Sequence, residues 1–221
     1  MRRFLRENGL SMVMFGLFFV FLSLQSVAGW RTANQENQQH DQPGESYLSY
    51  VTSGSFVEST FENWESEFLQ MAGFVLLTVF LRQKGSPESK SLKGQEPVDA
   101  DPNQARKSPS VPGPVRRGGL ALAVYQNSLS LALVALFLLS FLLHALGGHA
   151  EYNQQQLEHG EAPTSLLGFV TSAEFWFQSM QNWQSEFLAV GALTVLGIFL
   201  RQRGSPESKP VAAPHTETGS S

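Results

Sequence analysis

Apolar residues along this chain are gathered into four blocks, separated by connectors dense in polar residues. The first block, residues 10–28, runs from Leu10 to Ala28 with Gln25 as its one strongly polar side chain. At about 1.5 Å per residue it covers ~28 Å, close to the apolar thickness of a bilayer. A similar block over 129–146 carries His144 where the first carries Gln25. The other two blocks, Phe68 to Leu81 and Phe187 to Leu200, are shorter, but their flanks extend them. From Phe175 to Leu200 the sole charge is Glu186, so spans over 61–81 and 175–200 are predicted. None of the four shows a one-faced 3.6-residue periodicity. A helix apolar on all sides belongs in lipid or in a large core, and this chain is too small for such a core.

The pattern also repeats. Shifting the chain by 119 positions aligns residues 4–90 with 123–209 without a gap. Identities run through apolar and polar stretches alike: Asn8/Asn127, Gly29/Gly148, Asn34/Asn153, His40/His159 and Val51-Thr52-Ser53 against Val170-Thr171-Ser172. The strongest block is RQKGSPESK at 82–90 against RQRGSPESK at 201–209. One register held over segments of such different composition implies an internal duplication, and two copies are too few for a solenoid. The predicted architecture is all-α and membrane-embedded, with four transmembrane helices in two tandem parallel-repeat hairpins. The first repeat covers 1–84 and the second 120–203. A linker over 85–119 and a tail over 204–221, rich in Pro, Ser, Gly and charge, are predicted to be disordered and cytoplasmic.

Charge fixes the expected orientation. The formal net charge of -4 gives no reason to expect a nucleic-acid partner. Of the 15 Lys and Arg, only Arg31 falls in either of the loops joining the two helices of a hairpin. The rest precede the first span, lie between the second and third, or follow the fourth. The positive-inside rule then places both termini and the linker in the cytoplasm, with Arg82 and Arg201 as cytoplasmic anchors. A cleaved signal peptide is the rival reading of the first block, given Arg2-Arg3 and the Ser26-Val27-Ala28 triplet. The mid-chain copy of the same block argues against it. With no cysteine, disulfides, thiolate metal sites and a Cys nucleophile are excluded.

Candidate chemistry is sparse. The sequence has no nucleophile elbow, zincin motif, P-loop or dinucleotide fingerprint, so no catalytic, cofactor-binding or metal-ligating set is assigned. The polar residues inside the blocks fall at a common depth. Helical rise places Glu67, Glu186, His144 and Gln25 just inside the outer leaflet, with Asn63 and Asn182 one turn above. Trp64 and Trp183 then lie in the outer aromatic belt. An ionisable group in lipid is costly and should face a partner, which makes His144 the natural partner for Glu67 or Glu186. Glu58, Glu62 and Glu65 form an acidic strip in the first copy, replaced by Phe177, Gln181 and Gln184 in the second. Such a strip reads first as a solvated face. Thr171 with Glu174 has the spacing of a capping box. Ser66, Gln70 and Gly73, with Ser185, Ala189 and Ala192, make a small-residue stripe suited to close helix packing.

The opening RRFLRENGLS, the AGW after the first block, FENWESEFLQ and LRQKGSPESK resemble a bacterial membrane-protein family of the domain-of-unknown-function class. The resemblance spans nearly the whole chain. It implies an inner-membrane location and supplies no activity and no functional residue. The expected function is that of a non-catalytic structural or interaction component of the bacterial inner membrane. Its expected partners are the lipid bilayer and either a second copy or another membrane protein. The alternative is a small transporter or channel component using the outer Glu/His cluster.

Overall fold

The computed structural model describes residues 2–219. Four long helices dominate: α1 (Arg2–Gln39), α3 (Gly54–Phe80), α6 (Ser128–Glu158) and α8 (Ala173–Phe199). Short helices lie between them: α2 (Tyr47–Val51), α4 (Gly113–Arg117), α5 (Gly119–Gln126) and α7 (Leu166–Val170). Two 3-10 turns, Pro97–Asp99 and Pro102–Ala105, interrupt the linker. No strand occurs among the described residues. All 11 prolines fall outside the four long helices, as expected of a residue that lacks the donor a helix interior needs. Two helices, α1 and α6, are long and apolar enough to cross a membrane. On α1, Leu10, Phe15, Phe19, Phe21 and Leu24 are all exposed.

The chain divides into two compact units. The first comprises residues up to Phe61 together with Leu143–Phe175. Here the polar ends of α1 and α6 run on as helix, each tied to the segment that follows it. Asn34 on α1 accepts from the Glu45 backbone N–H at 2.8 Å and donates to the Glu45 carbonyl at 3.2 Å. The Trp30 indole donates to that same carbonyl at 2.9 Å. On α6, Asn153 accepts from the Thr164 N–H at 2.8 Å and donates to the Thr164 carbonyl at 3.1 Å, with a His149 ring nitrogen 2.9 Å from that oxygen. Each of these residues lies 119 positions from its counterpart. The short helices are capped alike: Ser46 and Ser165 accept from the N–H three residues on. An edge-on aromatic pair then seats each one, Tyr50 on Phe56 and Phe169 on Phe175, at 5.7 and 5.5 Å between centroids.

Thr171 is not the cap of α8. Its hydroxyl donates back to the carbonyls of Leu167 and Gly168, closing α7, and Ser172 accepts from the Phe175 N–H instead.

The second unit holds Glu62–Leu142 and the chain from Trp176 onward. In it α3 and α8 end in the same way. Arg82 curls back to donate to the carbonyls of Thr78, Val79 and Leu81. Arg201 does so to Gly197, Ile198 and Leu200. A cation here covers the carbonyls that a helix C-terminus leaves unpaired and sits at the negative end of the dipole. Gly85 and Gly204 follow with φ of 87° and 84°, a conformation glycine adopts without strain. Ser89 then accepts from the Gln83 N–H and Ser208 from the Gln202 N–H. Residues 82–90 and 201–209 therefore form the same kind of closing turn, where composition alone predicts disorder. The tail adds further bonds: Thr218 accepts from the Gly85 N–H, and Lys209 donates to the carbonyls of Pro214, His215 and Glu217.

The small-residue stripe is buried on α3 only. Ser66 and Gln70 are buried, and Gly73 leaves room for the Phe187 ring at ordinary contact distance. Ser185, Ala189 and Ala192 on α8 are exposed.

Candidate functional site

Three polar arrangements stand out, one in the second unit and two in the first. Within the second unit, Glu65 is fully buried at 0% exposure. Its Oε1 accepts from the Ser179 hydroxyl at 2.8 Å and from the Trp183 indole N–H at 3.0 Å. One turn earlier on α3, Glu62 accepts from the Asn182 amide at 3.2 Å. Glu62 and Glu65, two of the three acids expected to form a solvated face, are thus paired with donors on α8. Phe137, Phe141 and Trp176 complete an aromatic surround, with Phe137 and Trp176 each 6.2 Å from Trp183 between ring centroids.

Within the first unit, His144 is fully buried and stacked on Phe175 at 4.8 Å. A carboxylate oxygen of Glu58 and a ring nitrogen of His144 lie within 4.8 Å. Close helix approach makes this possible. Gly147 and Gly148 on α6 present no side chain, so Val57 and Glu58 of α3 pack directly on the α6 backbone.

Also in the first unit, a cavity of about 520 Å³ lies among the polar ends of α1 and α6, the loop before α2 and the start of α3. Glu36, Glu45, Glu151 and Glu158 line it with His40 and several amides, and no Lys or Arg does. A second cavity, of about 400 Å³, is lined by Gln25, Gly29, Glu36, Tyr50 and Ser59 among others, and shares Glu36, Ala33 and Ser55 with the first. Burial pushes the Glu151 carboxyl above its usual range, and the charges of Glu158, Glu36 and Glu45 push the same way, against one bond from Gln155. Burial first, then the charges of Glu45, Glu151 and Glu36, raise the Tyr50 phenol.

A pH dependence follows from Glu151. The folded protein holds this proton more tightly than the unfolded chain, whose carboxyl titrates near the ordinary 4.5. The group's contribution to stability is complete below that value and is lost as pH rises through the raised one. Glu151→Gln stays neutral throughout and keeps a partner for Gln155. The variant is expected to melt above the parent at neutral pH, with the gap closing toward pH values below the carboxylate range. A constant offset across that range in a thermal-shift series would count against the assignment.

The residues singled out from sequence are divided between the units. Gln25 and His144 belong to the first; Asn63, Glu67, Asn182 and Glu186 belong to the second. His144 finds its carboxylate in Glu58. Gln25 is exposed and lines the second cavity. Glu67 is exposed and near enough to Glu186 for the two charges to interact. Asn182 reaches Glu62, and Asn63 is exposed. Trp64 is half-buried, and the Trp183 N–H, expected at the interface, is directed to Glu65. Glu65, Glu58 and the cavity acids were missed. The available clue was that Glu58, Glu62 and Glu65 stand 119 positions before Phe177, Gln181 and Gln184, in an otherwise similar stretch.

Neither curated proteins nor solved structures yield a match to this chain. A family model does match, over residues 1–220. With an all-helical fold, two helices able to cross a membrane and a match of that extent, the chain belongs to the family described as a domain of unknown function, DUF6766.

Proposed function

We propose that the protein is a non-catalytic structural or interaction component of the bacterial inner membrane. All four long helices cross the bilayer as two tandem hairpins derived by duplication, with both termini cytoplasmic. The carrying observation is the exposure of large apolar side chains along α1, with Leu10 at 78%, Phe15 at 65% and Phe21 at 62%. A contiguous apolar surface of that extent needs lipid or a partner to cover it. Duplication is supported by the paired bonds 119 residues apart: the Asn34 and Asn153 clamps, the Arg82 and Arg201 caps, and the serine turns after them. The orientation is supported by the placement of every Lys and Arg except Arg31 on one side. For α3 and α8, the supporting feature is that Glu62 and Glu65 of α3 accept from Asn182, Ser179 and Trp183 of α8, which lowers the cost of carrying those acids into lipid.

Topology tests the reading. A reporter active only in the periplasm should be silent when fused after Lys209 and active when inserted beside His40 or His159. Activity after Lys209, or silence at either loop, would overturn the four-span arrangement. Crosslinking in native membranes should then capture a second copy or one stoichiometric partner on the exposed Ser185, Ala189 and Ala192 face of α8.

A second reading, a small transporter or channel component, is favoured by the proximity of the half-buried Glu58 to the buried His144, since intramembrane ionisable residues mark proton and ion paths. Against it, the cytoplasmic halves of the apolar blocks carry only the isolated hydroxyls Ser11, Thr78, Ser130 and Thr194 and no ionisable side chain that would continue a path.

A further inference from the structure

The arginines that close α3 and α8 in the second unit differ in what their outer nitrogens meet. At the end of α8, Arg201 Nη1 covers helix carbonyls while Nη2 donates to the Ala213 carbonyl at 3.1 Å. At the end of α3, Arg82 Nη1 covers helix carbonyls in the same way, but neither Nη2 nor Nε has an acceptor among the described residues. A guanidinium presents such donors as a planar fork that fits two oxygens of one phosphate or carboxylate. Asp99 is near enough to feel the Arg82 charge, yet its carboxylate is bonded to Lys90.

Arg82 lines a cavity of about 240 Å³ that lies wholly within the second unit. Phe74, Leu77 and Leu81 give this cavity an apolar wall, and Glu88 lines it as well. Leu77 and Leu81 are exposed, so the wall is open to whatever surrounds the helix. The Glu88 N–H is bonded to the Ser86 hydroxyl, but its carboxylate has no donor and no ion-pair partner among the described residues, Arg82 included. Burial first, then the charge of Glu207, push the Glu88 carboxyl above its usual range. A carboxylate and an arginine fork that line one cavity without pairing match a ligand bearing both charges. The apolar wall matches a ligand with hydrocarbon attached.

A phospholipid whose headgroup joins a phosphate to a primary ammonium has all three features. A water takes roughly 30 Å³, so the cavity holds about eight such volumes, the heavy-atom count of a phosphoethanolamine group. An anionic headgroup would set its net charge against Glu88. A choline headgroup carries the positive charge but has no N–H to donate to the carboxylate. We propose that this groove binds phosphatidylethanolamine, with the phosphate on Arg82, the ammonium on Glu88 and an acyl chain along Phe74, Leu77 and Leu81. The site rests on the reading of α3 as a membrane span, which sets Arg82 at the water-facing edge of the lipid.

Native mass spectrometry of the full chain released from detergent micelles counts the lipids it keeps. Phosphatidylethanolamine, phosphatidylcholine and phosphatidylglycerol with identical acyl chains are offered in equal amounts. One phosphatidylethanolamine per chain is expected, retained about fivefold or more over either competitor. Glu88→Gln should abolish the preference over phosphatidylglycerol, because the repelling charge is gone. Arg82→Gln should lower retention of all three lipids. Arg201→Gln, where the chain itself already fills the fork, should leave the preference unchanged. Equal retention of the three lipids, an unaltered preference in Glu88→Gln, or a dimer in place of the lipid-bound chain would overturn the proposal. The Glu88 side chain bonds nothing among the described residues, so its variant decides even where Arg82→Gln loses helical circular dichroism. Failure of the membrane reading shows itself separately, as a chain that stays in solution without detergent.

Discussion

Glu65→Ala is expected to destabilise the protein by about 3 kcal/mol, whereas Glu65→Gln costs about 1 or less. The loss does not come mainly from the bonds themselves. Side-chain hydrogen bonds inside membranes average only about 0.6 kcal/mol, because the alternative states also find partners. It comes from what remains behind. Ser179 is fully buried, and the Trp183 indole N–H has its acceptor in Glu65. With alanine at 65, two donors lose that acceptor, each worth about 1–3 kcal/mol, and a carboxylate-sized void opens beside Ser179. Glutamine keeps the oxygen that both donors use. Unfolding in mixed micelles, followed by tryptophan fluorescence, measures the difference. Pairing Glu65→Ala with Trp183→Phe should show coupling of about 1 kcal/mol, as expected of residues in direct contact. Strict additivity, or a glutamine variant as unstable as the alanine one, would show that the donors have other acceptors and that the pairing is incidental.

This asymmetry between α3 and α8 explains what could and could not be read in the sequence. The apolar runs of α1 and α6 were legible because no charged residue interrupts them and no proline falls within them. The 119-residue register was legible because it needs only comparison. The facing of α3 was not. A helix that is apolar on nearly every side gives no preferred inward direction, so Glu58, Glu62 and Glu65 looked like a wetted strip until α6 and α8 supplied His144, Asn182, Ser179 and Trp183. The GSPESK turns were hidden for a different reason. Composition counts their Gly, Pro and Ser as features of disorder. Their order decides the matter: glycine where φ is positive, and serine where a backbone N–H past the helix end needs an acceptor. The five-residue helices α2 and α7 fall below the length at which periodicity can be seen, and only the serine caps mark them.

Gly147→Val is expected to cost about 3 kcal/mol or more, at the upper end for an overpacked site. A Cβ at this position would lie 2.7 Å from the Glu58 backbone nitrogen and 2.8 Å from Val57 Cγ1. A flexible side chain could swing aside; a helix backbone cannot. The constraint is mutual, because a Cβ on Gly54 would lie 2.8 Å from both the Glu151 nitrogen and the Gly147 carbonyl oxygen. Either substitution forces α3 and α6 apart within the first unit, and the Gly54→Ala change, adding one carbon, should cost about 2 kcal/mol. Gly191→Ala supplies the control. It lies within α8 with nothing inside 4 Å of its added carbon, so replacement there should be neutral or stabilise by up to about 1 kcal/mol through helix propensity. Thermal unfolding of the three variants in one detergent ranks them. Equal effects at Gly147 and Gly191 would mean that the glycines matter only through backbone entropy, not through close approach. The distinction bears on function, because the same contact holds Glu58 against His144 and sets Glu151 at the rim of the acidic cavity. A protein that merely lost helix propensity would keep both arrangements. One whose helices were pried apart would admit water to a buried histidine and lose the spacing of its four outer acids.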